Sequence, residues 1–394
     1  MTSPQKYRVL FFIGSMAGGG AERQMVELLK RLDRSRFTPL LYLHHAKGEF
    51  LQEVPEDVPV ISFWDNYTGT LKSKWDHLWG VTERSRVKHL ANVIQQHNID
   101  LVFDQTLLAT LDSYFAQQLV PTARISTCVG SPTADIEQFQ SSVRFDLQQT
   151  AMAAYRSCQN VVAVSEGLKS QILQTYSLNS NQMEVLPNLV DVKRSLQLAQ
   201  QEQVDFPDDA IHLLTVGRMS AEKGHSVFLN ALNLLTEKTT QKLHWHLVGQ
   251  GPLQANLQAK VHELGLEHRV TFHGFQANPF PYYGAANLLV VPSLHEAFGN
   301  ILIEALACQL PVLATKCPGG PREILQDGKF GGLAEVNDPE SLCNQVLHFL
   351  DHQQQWQQQA RLGYEHVLET YSYEQGMSRW ESLFIQAIEE FQSA

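Results

Sequence analysis

The chain has 394 residues, enough for two domains of ordinary size, and its 43% hydrophobic and 18% charged residues are those of a folded globular protein. The net charge of −11 is uneven: residues 1–195 hold 19 Lys plus Arg against 19 Asp plus Glu, so subtraction from the totals of 30 and 41 leaves 11 against 22 for the remainder. That excludes free duplex nucleic acid as a partner of the second half, and makes the neutral first half the one suited to an anionic surface.

No run approaches the ~20 apolar residues of a spanning helix. The residues before the first strand carry no apolar signal core. The five cysteines, Cys128, Cys158, Cys308, Cys317 and Cys343, form no CxxC pair and are odd in number. Reduced thiols in the cytoplasm are expected, with no disulfide framework and no zinc site.

The first apolar run, residues 8–13 (RVLFFI), ends in Gly14 and predicts a buried parallel strand. Gly18-Gly19-Gly20 then opens a helix with Met25, Leu28, Leu29 and Leu32 on one face. Further strands are predicted at 39–43, 58–63, 101–103, 123–127 and 161–164. Alternation of this kind argues a doubly wound parallel sheet. Residues 197–210 are polar and predict a linker or a domain edge. The pattern then starts afresh, with strands at 211–216, 244–248, 269–273, 288–291 and 311–314. The expected class is α/β, with two doubly wound Rossmann-like sheets: a first domain over 1–195 and a second over 205–370. The Gln-rich stretch 352–359 predicts a solvated helix with Trp356 turned inward, and residues 373–391 an amphipathic helix.

The most telling stretch is His295-Glu296-Ala297-Phe298-Gly299-Asn300-Ile301-Leu302-Ile303-Glu304, in which two carboxylates stand eight positions apart between a strand and a helix. That order puts the pair at the carboxyl end of a strand, where open α/β sheets bind ligands. Asn300 is the expected N-cap, Gly299 allows close backbone approach, and the amides of Ile301, Leu302 and Ile303 are expected to be free for a phosphate. Glu304 falls in the second turn, placed to accept from a ribose diol, and Glu296 to accept from a sugar hydroxyl. The plainer reading makes Glu296 a loop charge and Glu304 an acid that favours the helix dipole.

This stretch resembles the E-x7-E motif of the family-four retaining glycosyltransferases, which have the GT-B fold. Other motifs are similar to that family in the same order. They are Gly18-Gly19-Gly20-Ala21-Glu22-Arg23, Val164-Ser165-Glu166, Leu186-Pro187-Asn188, Arg218 with Lys223-Gly224, Gly249-Gln250-Gly251-Pro252, and Gly319-Gly320-Pro321-Arg322-Glu323. The resemblance implies two Rossmann-like domains facing across a cleft. The first would bind acceptor and the second nucleotide sugar, with a C-terminal helix over 371–394 crossing back to the first. It also implies front-face transfer, in which the departing phosphate deprotonates the acceptor hydroxyl and no side-chain nucleophile is required.

Arg218, Lys223 and Glu296 are then the catalytic candidates. The two cations follow the first strand of the second domain and suit a leaving diphosphate; Glu296 would orient the sugar. Donor-binding candidates are Gly19, Gly20, Gly249, His273, Gly274, Phe298, Gly299, Asn300, Ile301, Leu302 and Glu304. A tight turn explains Gly249 and Gly251 at least as well, and Gly319 and Gly320 either close over the sugar or simply turn the chain. No cofactor is expected, because the nucleotide sugar is a substrate. Asp-x-Asp is absent from the chain, which fits cations and a helix dipole in place of a metal.

The family's mid-domain histidine has no counterpart at Phe103-Asp104-Gln105-Thr106 or Ser126-Thr127-Cys128-Val129-Gly130. Asp104 or Gln105 is the candidate to orient the sugar or acceptor instead. His44 and His45 read as ordinary edge residues.

Residues 71–90 interleave Lys72, Lys74, Arg84, Arg86 and Lys88 with Trp75, Leu78 and Trp79. They admit either an interfacial contact at the inner face of a membrane or an ordinary surface helix with the tryptophans in the core. The first reading brings a lipid-linked or envelope glycan as acceptor. Family habit favours a UDP sugar. Two alternatives stand beside this reading: a GT-B epimerase of sugar nucleotides, which would share the sheets and cleft but which the E-x7-E and Arg…Lys pattern argues against, and a silent homologue that binds a partner.

Overall fold

A computed structural model describes residues 6–17, 19–66, 81–143, 145–201, 204–206 and 209–394. Gly18 and residues 71–80 of the basic, tryptophan-bearing stretch lie outside the described residues. The chain divides into two compact units, residues 1–187 with 376–394, and residues 188–375.

The first unit carries seven strands: β1 Tyr7–Ile13, β2 Phe37–Leu43, β3 Val60–Ser62, β4 Leu101–Gln105, β5 Ala123–Cys128, β6 Asn160–Ala163 and β7 Met183–Val185. All pair in parallel, in the order β3-β2-β1-β4-β5-β6-β7. The order reverses between β1 and β4. Apolar runs on both faces of β1 explain why both are covered. Leu10 and Phe12 pack with Leu40, Tyr42, Leu90 and Val102, where Leu90 comes from the helix Val81–Gln96. On the opposite face Phe11 meets Phe384 at 5.9 Å and Phe103 meets Trp380 at 5.4 Å. Both partners belong to the helix Tyr373–Ser393, whose stretch from Gly376 onward returns to this unit.

The second unit carries β8 Ile211–Val216, β9 Leu243–Val248, β10 Val270–Gly274, β11 Leu288–Val291, β12 Val312–Thr315 and β13 Gly332–Ala334. They too are parallel, in the order β10-β9-β8-β11-β12-β13, with the reversal between β8 and β11. Leu213, Trp245, Leu247 and Val290 pack against Phe228, Leu232 and Phe349 of the helices His225–Lys238 and Pro339–Asp351. Trp245 is buried without leaving its ring nitrogen unpaired, because Nε1 donates to Thr215 Oγ1 at 2.9 Å.

The polar stretch 197–210 is not a simple linker. Its first residues complete the helix Val192–Gln201, and Phe206 stacks on His246 with ring centroids 3.8 Å apart. The Gln-rich stretch begins the helix Gln353–Thr370, and Trp356 is buried within it as the sequence predicts. Among the described residues no helix is long and apolar enough to cross a membrane.

Candidate active site

Two of the three catalytic candidates, Lys223 and Glu296, meet at the carboxyl ends of β8 and β11, the two strands where the second sheet reverses its order. This is the position at which open α/β sheets bind ligands. Lys223 Nζ lies 2.6 Å from Glu296 Oε1, and Ser293 Oγ donates to the same oxygen at 2.9 Å. The carboxylate side chain is 8% exposed and the ammonium side chain 27%, so the lysine is the member of the pair that solvent or a ligand reaches.

Glycines hold the geometry. Gly224 has φ +64°, and a Cβ there would fall 1.9 Å from the Pro292 carbonyl oxygen. The turn after Lys223 therefore rests on the backbone that leads to Glu296, and Leu294 N donates to Glu222 O at 2.7 Å. Gly319, with φ +116°, would put a Cβ 1.5 Å from the Glu296 carbonyl oxygen, and Gly320 one 2.1 Å from that of Phe298. These two glycines press the turn against residues 296–298. Gly249 does the same one strand over, where its Cβ would lie 2.0 Å from Gly217 O. Close backbone packing accounts for Gly249, Gly319 and Gly320.

Arg218 is exposed at the end of β8. Neighbouring Glu222 is partly buried, which raises its carboxyl, but the Ser220 hydroxyl, its own backbone and the cations Lys223 and Arg218 outweigh this and hold it below the usual range. His295 is half-buried, and burial lowers its pKa.

The helix Asn300–Ala307 departs from expectation in its first turn. Gly299, φ +103°, is the N-cap, and Asn300 is already helical. The Asn300 side chain is turned to Asn188, whose Nδ2 donates to its Oδ1 at 2.8 Å. The Leu302 amide is not free but donates to Gly299 O at 2.9 Å, a tightened first turn. Ile301 is half-buried at the helix start, and Phe298 is buried against Tyr371. Glu304 is nearly buried and accepts from the Tyr283 hydroxyl at 2.8 Å. Tyr283 sits on the helix Phe280–Ala285, and nothing in the sequence pairs it with Glu304; the contact joins two separate helices.

His273 and Gly274 end β10. Gly274, φ +71°, accepts from Gly249 N at 2.7 Å. The His273 ring is turned sideways along the sheet, with Nε2 3.0 Å from His246 Nδ1, and His246 Nε2 is 3.0 Å from His212 Nδ1. Burial lowers the pKa of His246 to about 3, and lowers that of His273 as well. A ligand at this strand end therefore meets His273 and Gly274 through the backbone more readily than through the ring.

In the first unit Gly19 is the N-cap of the helix Gly20–Arg31, and Glu22 folds back so far that a Cβ on Gly19 would lie 2.3 Å from its Oε2. Glu22 stands at the third helical position, where an acid suits the helix start. Gly20 is exposed in the first turn. Asp104 is enclosed: β4 runs two residues further than predicted, Thr110 Oγ1 donates to Asp104 at 2.6 Å, and burial raises its pKa. Gln105, also buried, lies nearer the carboxyl edge of that strand. Of the basic stretch, Arg86 pairs with Asp112.

Residues 18–194 match the family described as Glycosyltransferase Family 4, and residues 197–366 match Glycosyl transferases group 1. A Campylobacter jejuni protein, N-acetylgalactosamine-N,N'-diacetylbacillosaminyl-diphospho-undecaprenol 4-alpha-N-acetylgalactosaminyltransferase, is 34% identical over 50% of this chain and 52% of its own length. The N-acetyl-alpha-D-glucosaminyl L-malate synthase of Bacillus anthracis is 25% identical over 75% of this chain and 77% of its own. The chain spans about half the length of the first of these relatives. Among solved structures, Anabaena HepE in complex with UDP and glucose superposes with a TM-score of 0.78 at 22% identity, over 95% of this chain and 98% of that one. Sucrose-phosphate synthase from Thermosynechococcus elongatus gives 0.79 at 18% identity, over 99% and 100%. With two parallel sheets of seven and six strands and family matches that together run from residue 18 to residue 366, the chain belongs to glycosyltransferase family 4 and has the GT-B fold.

Proposed function

We propose that this protein transfers a sugar from a nucleoside-diphosphate sugar, a UDP sugar first among candidates, to a hydroxyl of its acceptor with retention of configuration. The observation that carries the reading is the Lys223–Glu296 pair at the carboxyl ends of β8 and β11. Charge grows on the diphosphate as the glycosidic bond breaks, and fixed cations stabilise it most where they need not reorganise. Lys223 and exposed Arg218 supply those cations. Glu296 orients the sugar, and Glu304 with Tyr283 takes the ribose.

Phe298, Gly299, Asn300, Ile301 and Leu302 are proposed to line the diphosphate, and Gly19 and Gly20 are proposed as donor-binding residues of the first unit. Asp104, Gln105, Gly249, His273 and Gly274 complete the proposed set. Transfer proceeds on one face of the sugar: the departing phosphate takes the acceptor proton, and no metal is needed. A lipid-linked or envelope glycan is the proposed acceptor; the Campylobacter relative carries diphospho-undecaprenol in its name. The protein would work in the cytoplasm at the membrane's inner face.

The test is release of UDP from UDP sugars, with EDTA, by wild type and Lys223→Ala. Turnover that survives EDTA and falls at least 100-fold in the variant supports the reading. Full turnover of Lys223→Ala would sink it.

A further inference from the structure

In the first unit a second set of titratable groups lies outside the proposed donor site. His44, the residue after β2, places Nε2 2.8 Å from Asp112 Oδ2. Asp112, on the helix Leu107–Gln117, also accepts from Arg86 Nε at 2.7 Å on the same oxygen and from Arg86 Nη2 at 3.0 Å on the other. Its side chain is 6% exposed. Burial alone would raise the Asp112 carboxyl, but the bonds from His44 and Arg86 outweigh it and hold the acid below its ordinary range.

An ionised carboxylate only accepts, so His44 Nε2 must carry the hydrogen. In the neutral ring Nδ1 is then a bare acceptor. That nitrogen is turned to Gly14: a Cβ there would stand 3.8 Å from it, and apart from the residues next to Gly14 in the chain no other atom would lie within 4 Å of that Cβ. Gly14 is the first residue after β1, beside the reversal between β1 and β4. Phe12 packs edge-on to the ring at 5.0 Å, which fixes its plane. A structural ion pair between Arg86 and Asp112 has no need of a third, oriented imidazole at a strand's carboxyl end.

The geometry points to His44 as a substrate-positioning residue: held by Asp112, it accepts through Nδ1 a hydrogen bond from a sugar hydroxyl lodged over Gly14. The assignment rests on the transferase reading above.

The experiment uses the full chain, wild type, His44→Gln and Asp112→Asn. Gln keeps a donor for Asp112, and thermal melts check that each variant is folded. Binding of UDP, GDP and ADP and of their glucose conjugates is measured by calorimetry. Nucleotide release with octyl β-D-glucoside as acceptor probe is followed at pH 8. The expected result is unchanged nucleotide affinity in His44→Gln, a loss of at least tenfold in turnover per octyl glucoside, and a smaller loss in Asp112→Asn. A tenfold loss of nucleotide-sugar affinity alone also supports the assignment and gives the hydroxyl to the donor. If wild type binds a nucleotide sugar and His44→Gln matches it in affinity and turnover, the assignment is overturned and the transferase reading stands. Wild type that binds none of the nucleotides overturns both. Nitrogen chemical shifts of labelled histidine, assigned by difference with His44→Gln, read the tautomer directly, and a ring protonated on Nδ1 at pH 8 overturns the assignment by itself.

Discussion

Lys223 and Glu296 follow different strands, 73 positions apart, and meet at 2.6 Å. Such a pair is poised between two partners for the lysine. A diphosphate competes with Glu296 for the ammonium, and the carboxylate, released, becomes free for a sugar hydroxyl. Removing Glu296 therefore has opposite effects on binding and on chemistry. Glu296→Ala is expected to bind UDP as tightly as wild type or more so, while turnover of the UDP sugar falls ~100-fold through lost orientation. Calorimetry with UDP and a release assay with the UDP sugar separate the two. Weaker UDP binding together with normal turnover would contradict the competition.

The glycines of residues 319 and 320 make the second prediction. Gly319→Ala meets both a φ of +116° and a Cβ 1.5 Å from the Glu296 carbonyl oxygen. The backbone must move, and the loop bearing Glu296 moves with it. A loss of at least about 2 kcal/mol in denaturant stability is expected, with turnover reduced further than stability explains. Gly265→Ala is the control: its φ is +67° but no heavy atom lies within 4 Å of the new Cβ. It should cost only ~1 kcal/mol and leave the site untouched.

Much of this arrangement is legible in the sequence, and the parts that are not have physical causes. Long apolar runs such as residues 8–13 and 211–216 show themselves by composition, and both are strands of the expected length or one residue longer. β7 and β13 have three residues each, too short for any period to register. Arg218, Lys223, Glu296 and Glu304 stand out because charge at a strand's end is conspicuous. Tyr283 and Asp112 do not, since their roles lie in contacts between separate elements, and Ser293 does not because a lone serine in a loop carries no signal. Asn300 was the expected cap by residue type, yet Gly299 takes that place because the turn needs a positive φ, and the freed Asn300 side chain pairs with Asn188.

The histidines predict an acid limit to stability. Burial lowers the pKa of His246 to about 3 and of His225 to about 4, and lowers His244 and His273 as well. Each is neutral when folded and protonates near 6.5 when unfolded. Their contribution is therefore complete above pH 6.5 and is lost as pH falls through 6.5 toward the folded values. For His225 and His246 the slope reaches about 1.4 kcal/mol per pH unit each. Denaturant melts between pH 7.5 and 4.5 should show the decline beginning near 6.5, before the carboxylates titrate. His246→Gln keeps polar groups for its two ring neighbours and removes one titration, so its decline should be shallower. An equal slope in both proteins would show that the stack does not carry the effect.

Glu304 and Tyr283 give a prediction about which part of the donor is read. The Tyr283 hydroxyl occupies one carboxylate oxygen at 2.8 Å and fixes the plane of the other. A ribose diol gains from a carboxylate held in that way, because the hydrogen bonds to a charged acceptor are made without reorganising it. Glu304→Gln should weaken UDP binding about tenfold, and Tyr283→Phe by a smaller factor through loss of orientation. The loss should vanish when the probe is 2′,3′-dideoxy-UDP, which has no diol to offer. A ligand at ~100 times its dissociation constant stabilises by about 2.7 kcal/mol, so thermal shifts resolve a tenfold difference. Were the dideoxy nucleotide to discriminate wild type from Glu304→Gln as strongly as UDP does, the carboxylate would be reading the base or the phosphates, and the ribose assignment would have to be given up.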